Sequence, residues 1–147
     1  MGDMRFVLDT NVIVAGLRSP TGASRRLLEL LAEDQFEAIA SVAMMLEYEA
    51  VLKRPKQLTA FNLTTDEIDQ FLDGLATLLI PITPFYLWRP QLRDPADEHV
   101  LEAAINGRVD AIVTFNVRHF GTAGDRFGVD VYRPNIALQR IRDGKNE

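Results

Sequence analysis

Arg5-Phe6-Val7-Leu8-Asp9-Thr10-Asn11 is the stretch whose reading decides the fold. Its apolar run ends on a carboxylate, Asp9, and a small polar pair follows at once. An apolar run of this length, bounded by polar residues, predicts a strand buried on both faces, as in parallel sheets. Open parallel sheets collect ligands outside the carboxyl ends of their strands, so Asp9 is expected to border that crevice. The plainer alternative is a carboxylate that caps a helix beginning near Val12.

Outward from this strand, helices and strands alternate. Val12 to Leu17 is short and apolar and is broken by Arg18-Ser19-Pro20-Thr21-Gly22. Ala23 to Ala32 carries Leu27, Leu28, Leu30 and Leu31 beside Arg25 and Arg26, an amphipathic helix. Phe36 to Ala40 reads as a second strand, and Ser41 caps a helix running to about Lys53, ended by Arg54-Pro55. Thr64 and Glu67 have the spacing of a capping box for a helix through Leu79. Ile80 to Pro84 suits an edge strand, where proline is tolerated, and Phe85 to Pro95 reads as a loop. Asp97 to Ile105 is expected to be helical, stopped by Asn106-Gly107. Ala111 to Phe115 is a second strongly buried strand that delivers Asn116 at its end. Gly121 to Gly128 reads as a glycine-rich turn, Val129 to Tyr132 as a final strand, and Pro134 opens a C-terminal helix. This order predicts an α/β fold, a parallel sheet of about four to five strands flanked by helices.

At 147 residues and 47% apolar content, one domain with one sizeable core is expected. It is expected to span 4–143, with 1–3 as a start-site extension before Met4 and 144–147 as a polar tail. The chain has no cysteine, which excludes disulfides and thiolate metal sites and fits a reducing cytoplasm. No apolar run reaches membrane-spanning length, and no membrane partner is expected. A net charge of −5 argues against a protein that simply coats nucleic acid, but an acid cluster at a metal site would account for several of those charges.

Acids and amides recur at strand ends and helix starts: Asp9, Glu47, the Asp94/Asp97/Glu98 group and Asn116. Glu47 shares a helix face with Met44 and Val51, an unfavourable place for a lone carboxylate unless it is paired or binds a cation. Glu49 lies one helical turn from Lys53 and is expected to pair with it. Carboxylates that converge without thiolates make a hard-cation site suited to Mg²⁺ or Mn²⁺. Spacing alone does not separate such a site from unrelated caps and surface acids. Other strand-end carboxylate chemistries fall on the text. A haloacid-dehalogenase-type phosphatase needs a second aspartate where Asn11 stands, and neither a G-x-G-x-x-G turn nor a Walker lysine loop is present.

Four pieces then stand in order. They are Leu8-Asp9-Thr10-Asn11, Ser41 with Glu47-Tyr48-Glu49, Arg93-Asp94-Pro95-Ala96-Asp97-Glu98-His99-Val100-Leu101, and Val113-Thr114-Phe115-Asn116-Val117-Arg118-His119-Phe120. Together they resemble the PIN domain family, in particular its VapC-type toxins, along nearly the whole chain. The resemblance implies a single PIN-like domain with a Rossmann-like sheet and a metal-dependent ribonuclease activity. It implies Asp9, Glu47 and Asp97 as the acids that hold Mg²⁺ or Mn²⁺, with Asn116 where the family often has a fourth acid. That departure bears on a second metal ion. Asp94 and Glu98 are the competing choices for the third acid; Asp94 precedes a proline and suits a loop organiser, and Glu98 is one residue out of register. The resemblance further implies RNA as substrate and a small antitoxin as partner, as in type II toxin–antitoxin pairs, and it leaves room for a homodimer. A nuclease acting on RNA or DNA without an antitoxin, and an inactive PIN-like interaction module, are the rival readings.

Thr10, Asn11 and Ser41 are expected to support the site from behind, or to serve only as turn and cap residues. Arg18, Lys53, Arg54, Arg118 and His119 are candidate RNA contacts, with Lys56, Arg89 and Arg93 as further cations near the crevice. Ordinary solvated surface charge is the favoured reading of any one of them taken singly. Phe85, Tyr86 and Trp88 could stack on bases, although packing in a core or dimer seam suits them better.

Overall fold

The computed structural model describes residues 3–83 and 94–145. Phe85, Tyr86, Trp88, Arg89 and Arg93, together with most of the expected loop, lie outside those residues. The strands are β1 (Arg5–Leu8), β2 (Glu37–Ala40), β3 (Leu79–Pro81), β4 (Ala111–Val113) and β5 (Asp130–Tyr132). They form one sheet in the order β3-β2-β1-β4-β5, and every pairing is parallel. Eight helices flank it among the described residues. They are α1 (Thr10–Arg18), α2 (Ala23–Ala32), α3 (Val42–Leu52), α4 (Pro55–Phe61), α5 (Thr65–Leu78), α6 (Pro95–Asn106), α7 (Val117–Phe127) and α8 (Pro134–Lys145). Among the described residues no helix is long and apolar enough to cross a membrane.

β1 is the centre of the sheet because its side chains can be apolar on both faces. Phe6, Val7 and Leu8 have no exposed surface. Val7 lies opposite Ile39 on one side and Ile112 on the other. The chain leaves β1 outward through β2 and β3, then returns to β4 on the opposite side. The carboxyl ends of β1 and β4 therefore diverge at the point where strand order reverses, which is where such sheets open a ligand crevice.

Local signals explain most of the remaining elements. Thr64 accepts from the Glu67 backbone N–H at 3.2 Å while Glu67 accepts from the Thr64 N–H at 3.1 Å, a complete capping box for α5. The expected edge strand at Ile80 to Pro84 forms as β3 at Leu79–Pro81, at one end of the sheet. Arg54-Pro55 ends α3 as expected, but Pro55 at once starts the short helix α4. α8 runs to Lys145, so the expected polar tail begins inside its last turn.

Gly121 to Gly128 is not a turn. Gly121 to Phe127 is most of α7, capped by Gly128, with a kink at Gly121, whose φ of 35° lies in the left-handed region open to glycine. The helix continues past the kink because Phe120 and Ala123 are buried in the core. Gly124 also lets α7 close on β5, since a Cβ there would stand 2.9 Å from the Val129 carbonyl oxygen. Tertiary packing overrides the local preference of glycine.

Candidate active site

Beyond the carboxyl ends of β1 and β4 lies a cleft of about 380 Å³. Its lining brings together Asp9, Thr10 and Asn11 from the start of α1, Glu47 from α3, Arg54 from the α3–α4 junction and Gln57 from α4. Asp94 and Asp97 come from the start of α6, and Asn116 and His119 from the start of α7. All three acids expected at the metal, together with Asn116 and Asp94, thus face one space although they are spread over most of the chain.

Asp9 is held on both oxygens. Oδ1 accepts from the Thr10 N–H at 2.8 Å, and Oδ2 accepts from the Thr114 hydroxyl at 2.7 Å. Asp9 is the N-cap of α1, so the capping role and the cleft position coexist in one side chain. Thr114 in turn accepts from the Asn116 N–H at 3.0 Å, and Asn11 accepts from the Phe115 N–H at 3.3 Å. These bonds lock the ends of β1 and β4 together. Across the cleft, His119 Nδ1 lies 3.2 Å from Asp97 Oδ2.

The electrostatics are unfavourable to the carboxylates as they stand. Burial raises the Asp9 pKa above its ordinary value, outweighing the Thr114 and Thr10 hydrogen bonds, and Asp94 adds to the rise. Asp97 is raised by burial first and then by the negative charges of Asp9 and Asp94, against which His119 pulls the other way. Desolvation and like charge both disfavour the ionised forms. The cleft concentrates four carboxylates, with Arg54 and His119 as the basic groups in its lining.

The structure places the other candidates as follows. α6 begins at Pro95 rather than Asp97, and Asp94 is its N-cap, accepting from the Ala96 N–H at 2.9 Å. Proline fits the first helical position, where its missing N–H costs nothing. Asp97 therefore sits in the first turn of α6, with Asp94 in the same cleft. Glu98 is buried but does not line the cleft. Ser41 caps α3 through the Met44 N–H at 3.2 Å and lies on a separate apolar groove. Lys53 is bound by Glu49 at 2.9 Å, as its spacing predicts, and also by Asp69 at 2.6 Å. It does not line the cleft. Arg118 lines a different cavity, between α7, β5 and α8. Arg18 reaches the cleft only through Gln57, donating from Nε at 3.1 Å.

Sequence reasoning missed Thr114, Tyr48 and Gln57. The signal for Thr114 was a hydroxyl directly after a wholly apolar strand, at the position equivalent to Asp9 after β1. Tyr48 is fully buried and donates its hydroxyl to the Leu8 carbonyl, tying α3 to the strand that carries Asp9. Burial pushes the Tyr48 phenol up, and the Asp9 carboxylate adds to it. Tyr48→Phe should lower the thermal midpoint by several degrees, because a buried hydrogen bond of about 1–2 kcal/mol is removed from a core position. An unchanged midpoint would show that the hydroxyl is not holding β1. Gln57 carries no sequence signal at all.

Comparison with known proteins completes the picture. A family model described as PIN domain matches residues 5–118. No curated protein matches the chain significantly in sequence. Among solved structures, VapBC2 from Rickettsia felis, bound to a DNA fragment from its promoter, is similar at a TM-score of 0.58 and 17% identity. That likeness covers 88% of this chain and 98% of the other. VapBC-1 from nontypeable Haemophilus influenzae is similar at a TM-score of 0.55 and 13% identity, over 90% of this chain and 99% of the other. FitAB bound to an IR36 DNA fragment has a TM-score of 0.56 at 17% identity, over 88% of this chain and 94% of the other. At these identities the structural likenesses speak for the fold, and the family model speaks for descent: the chain belongs to the PIN domain family.

Proposed function

We propose that this chain is a divalent-metal-dependent endoribonuclease and the toxin half of a type II toxin–antitoxin pair. Asp9, Glu47 and Asp97 hold its Mg²⁺ or Mn²⁺. PIN domains are nucleases, which supports hydrolysis of a phosphodiester. The similar folds of VapBC2, VapBC-1 and FitAB support a small antitoxin as partner. The observation that carries the reading is the pair Asp9 and Asp97, both desolvated and each facing acids across one cleft.

The residues present fit such an ion. Its donors are all oxygen, the set preferred by hard cations, and burial raises the pKa of two of them, Asp9 and Asp97, which disfavours their ionised forms until a counter-charge arrives. Among the described residues no three carboxylate or histidine groups stand close enough to enclose an ion as they are. Glu47 is only half-buried on α3 and has the side-chain length to move inward. When bound, the ion activates water and offsets the charge that builds on the phosphodiester.

The remaining chemistry belongs to this chain. Thr114 and the Thr10 N–H fix the Asp9 carboxylate so that it does not rotate away from the cleft. His119 holds Asp97 from the opposite wall, and its exposed ring can pass a proton to the leaving oxygen of the RNA strand. Asn116 contributes an uncharged amide, which orients without adding repulsion.

The test is cleavage of a mixed RNA pool and a matched single-stranded DNA pool, each with chelator, Mg²⁺ or Mn²⁺, with the ends mapped. Metal-dependent cleavage of RNA alone is expected. Cleavage of DNA alone, or RNA cleavage that persists in chelator, would contradict the proposal.

Asn116→Asp offers a second check. It adds a charge to the cleft and should tighten a second ion without displacing the first, read by calorimetric titration with Mn²⁺. Two equally tight ions in the wild-type protein without RNA would reassign Asp94 as a ligand.

A further inference from the structure

We infer that Arg54 and Gln57, braced by Arg18, form a phosphate subsite that grips the RNA backbone beside the scissile bond. The inference rests on the nuclease reading and names how that site takes its substrate. Arg54 and Gln57 line the same cleft as Asp9 and Asp97, so the cleft has an acidic side and a donor-bearing rim. Three cations cluster after α3, at Lys53, Arg54 and Lys56, yet they are not equivalent. Lys53 is held by Glu49 and Asp69. Arg54 has no carboxylate partner among the described residues, although it borders a cleft that contains several acids. A guanidinium in that position keeps its fork of donors available for a phosphate.

Gln57 supplies the second observation. Arg18 Nε donates to Gln57 Oε1 at 3.1 Å, joining α1 to α4 across 39 residues of sequence. An arginine N–H can only donate, so this bond settles which end of the amide is oxygen. The amide N–H₂ is left as the free end of a residue that lines the cleft. Arg54 and the Gln57 N–H₂ thus bring donor groups to this part of the lining, a guanidinium and an oriented amide. That is the complement of a phosphodiester, which offers acceptors only. Where a divalent ion held by the acids would place the scissile phosphate on that side, the rim takes the phosphate of the flanking nucleotide. In this scheme Arg54 and Gln57 touch substrate, and Arg18 is a positioning residue.

The experiment measures RNA binding and cleavage separately in the full chain. Binding is read by fluorescence anisotropy of a labelled RNA oligonucleotide, in chelator and in Mg²⁺. Cleavage is read as kcat and KM on the same oligonucleotide. Arg54→Ala should weaken binding and raise KM by about tenfold, with kcat within about twofold, as expected for the loss of a charged hydrogen-bonded contact. The slope of log affinity against log salt should fall by about 0.7, the loss of one phosphate contact on a single strand. Arg54→Lys should recover part of the affinity.

Gln57→Glu keeps an acceptor for Arg18, so its thermal midpoint should match the wild type. It replaces the donor with a carboxylate oxygen, so RNA binding should still fall by about tenfold. Arg142→Ala removes an equal charge on α8, away from the cleft, and should change binding less than about twofold. Unchanged RNA affinity in both Arg54→Ala and Gln57→Glu, or no RNA binding by the wild-type protein in either buffer, would overturn the subsite. An equal loss in Arg142→Ala would overturn it too, by showing only general charge attraction. Binding that weakens as expected, without cleavage in any metal, would keep the subsite and overturn the nuclease reading instead.

Discussion

Asp9→Asn is expected to fold as the wild type does and to lose RNA cleavage by about 10³-fold or more. The asparagine keeps the size of the side chain and an oxygen for the Thr10 N–H. Its amide nitrogen can donate to the Thr114 hydroxyl in place of the long 3.4 Å bond from Asn11 Nδ2. What disappears is the charge at the end of β1, and with it a proposed metal ligand, whose loss would cost the several kcal/mol that a metal ion contributes to a phosphoryl-transfer barrier. The same change removes a desolvated charge that the metal-free protein tolerates poorly. In chelator at neutral pH the variant should therefore melt at or above the wild-type midpoint. Cleavage is read against a wild-type control, and folding by circular dichroism and thermal melting. A folded Asp9→Asn protein with wild-type activity would remove Asp9 from the site.

The second large effect is on stability. Asp9 and Asp97 both have folded-state pKa values raised above the ordinary 3.8, by burial first and by neighbouring acids after it. Each therefore binds its proton more tightly in the folded state than in the unfolded chain. Their contribution to stability is fully present below pH 3.8 and is lost as pH rises through the raised folded values. Metal-free protein should lose this stability as pH rises above 3.8 and the carboxylates ionise without a counter-charge. On the proposed reading a divalent ion would reverse the loss, so the metal-induced rise in thermal midpoint should grow with pH. At a metal concentration about 100 times Kd the gain is about 2.7 kcal/mol, or about 5–10 °C for a domain of this size. Glu47→Gln should show a smaller rise. Equal midpoints with and without metal, in both proteins, would mean that the acids are separate caps and surface groups.

The parts of this fold that could be read from the sequence are those set by neighbours along the chain. Phe6 to Leu8 and Ala111 to Val113 are apolar on consecutive residues, a pattern that suits a strand buried on both faces, and they became β1 and β4. The Thr64–Glu67 box and the Glu49–Lys53 pair lie within one helical turn and formed as written. Gly121 to Gly128 failed for the opposite reason. Its local preference is a turn, but Phe120, Ala123 and Gly124 pack against the body of the fold, and that packing keeps α7 helical. The helix expected from Asp97 starts earlier because Asp94-Pro95 is itself a start signal, a capping acid followed by proline at the first position.

The cleft divides in the same way. Asp9, Glu47, Asp97 and Asn116 could be named because each is a polar residue out of place in an apolar or helix-start context. Thr114, Tyr48 and Gln57 act through partners 105, 40 and 39 residues away, a distance at which a single sequence carries no signal. Lys53 looked available for RNA because only its near partner was visible; Asp69 reaches it from α5.

The claim on which the rest depends is that Asp9, Glu47 and Asp97 share one divalent ion. Crystals grown with Mn²⁺ and measured at its absorption edge test it most directly. We expect one strong anomalous peak in the cleft, with an oxygen of each of the three carboxylates at about 2.0–2.2 Å and waters or phosphate completing an octahedron. No peak in the cleft at saturating Mn²⁺, or a peak bound by Asp94 with Asp9 turned away, would contradict the account.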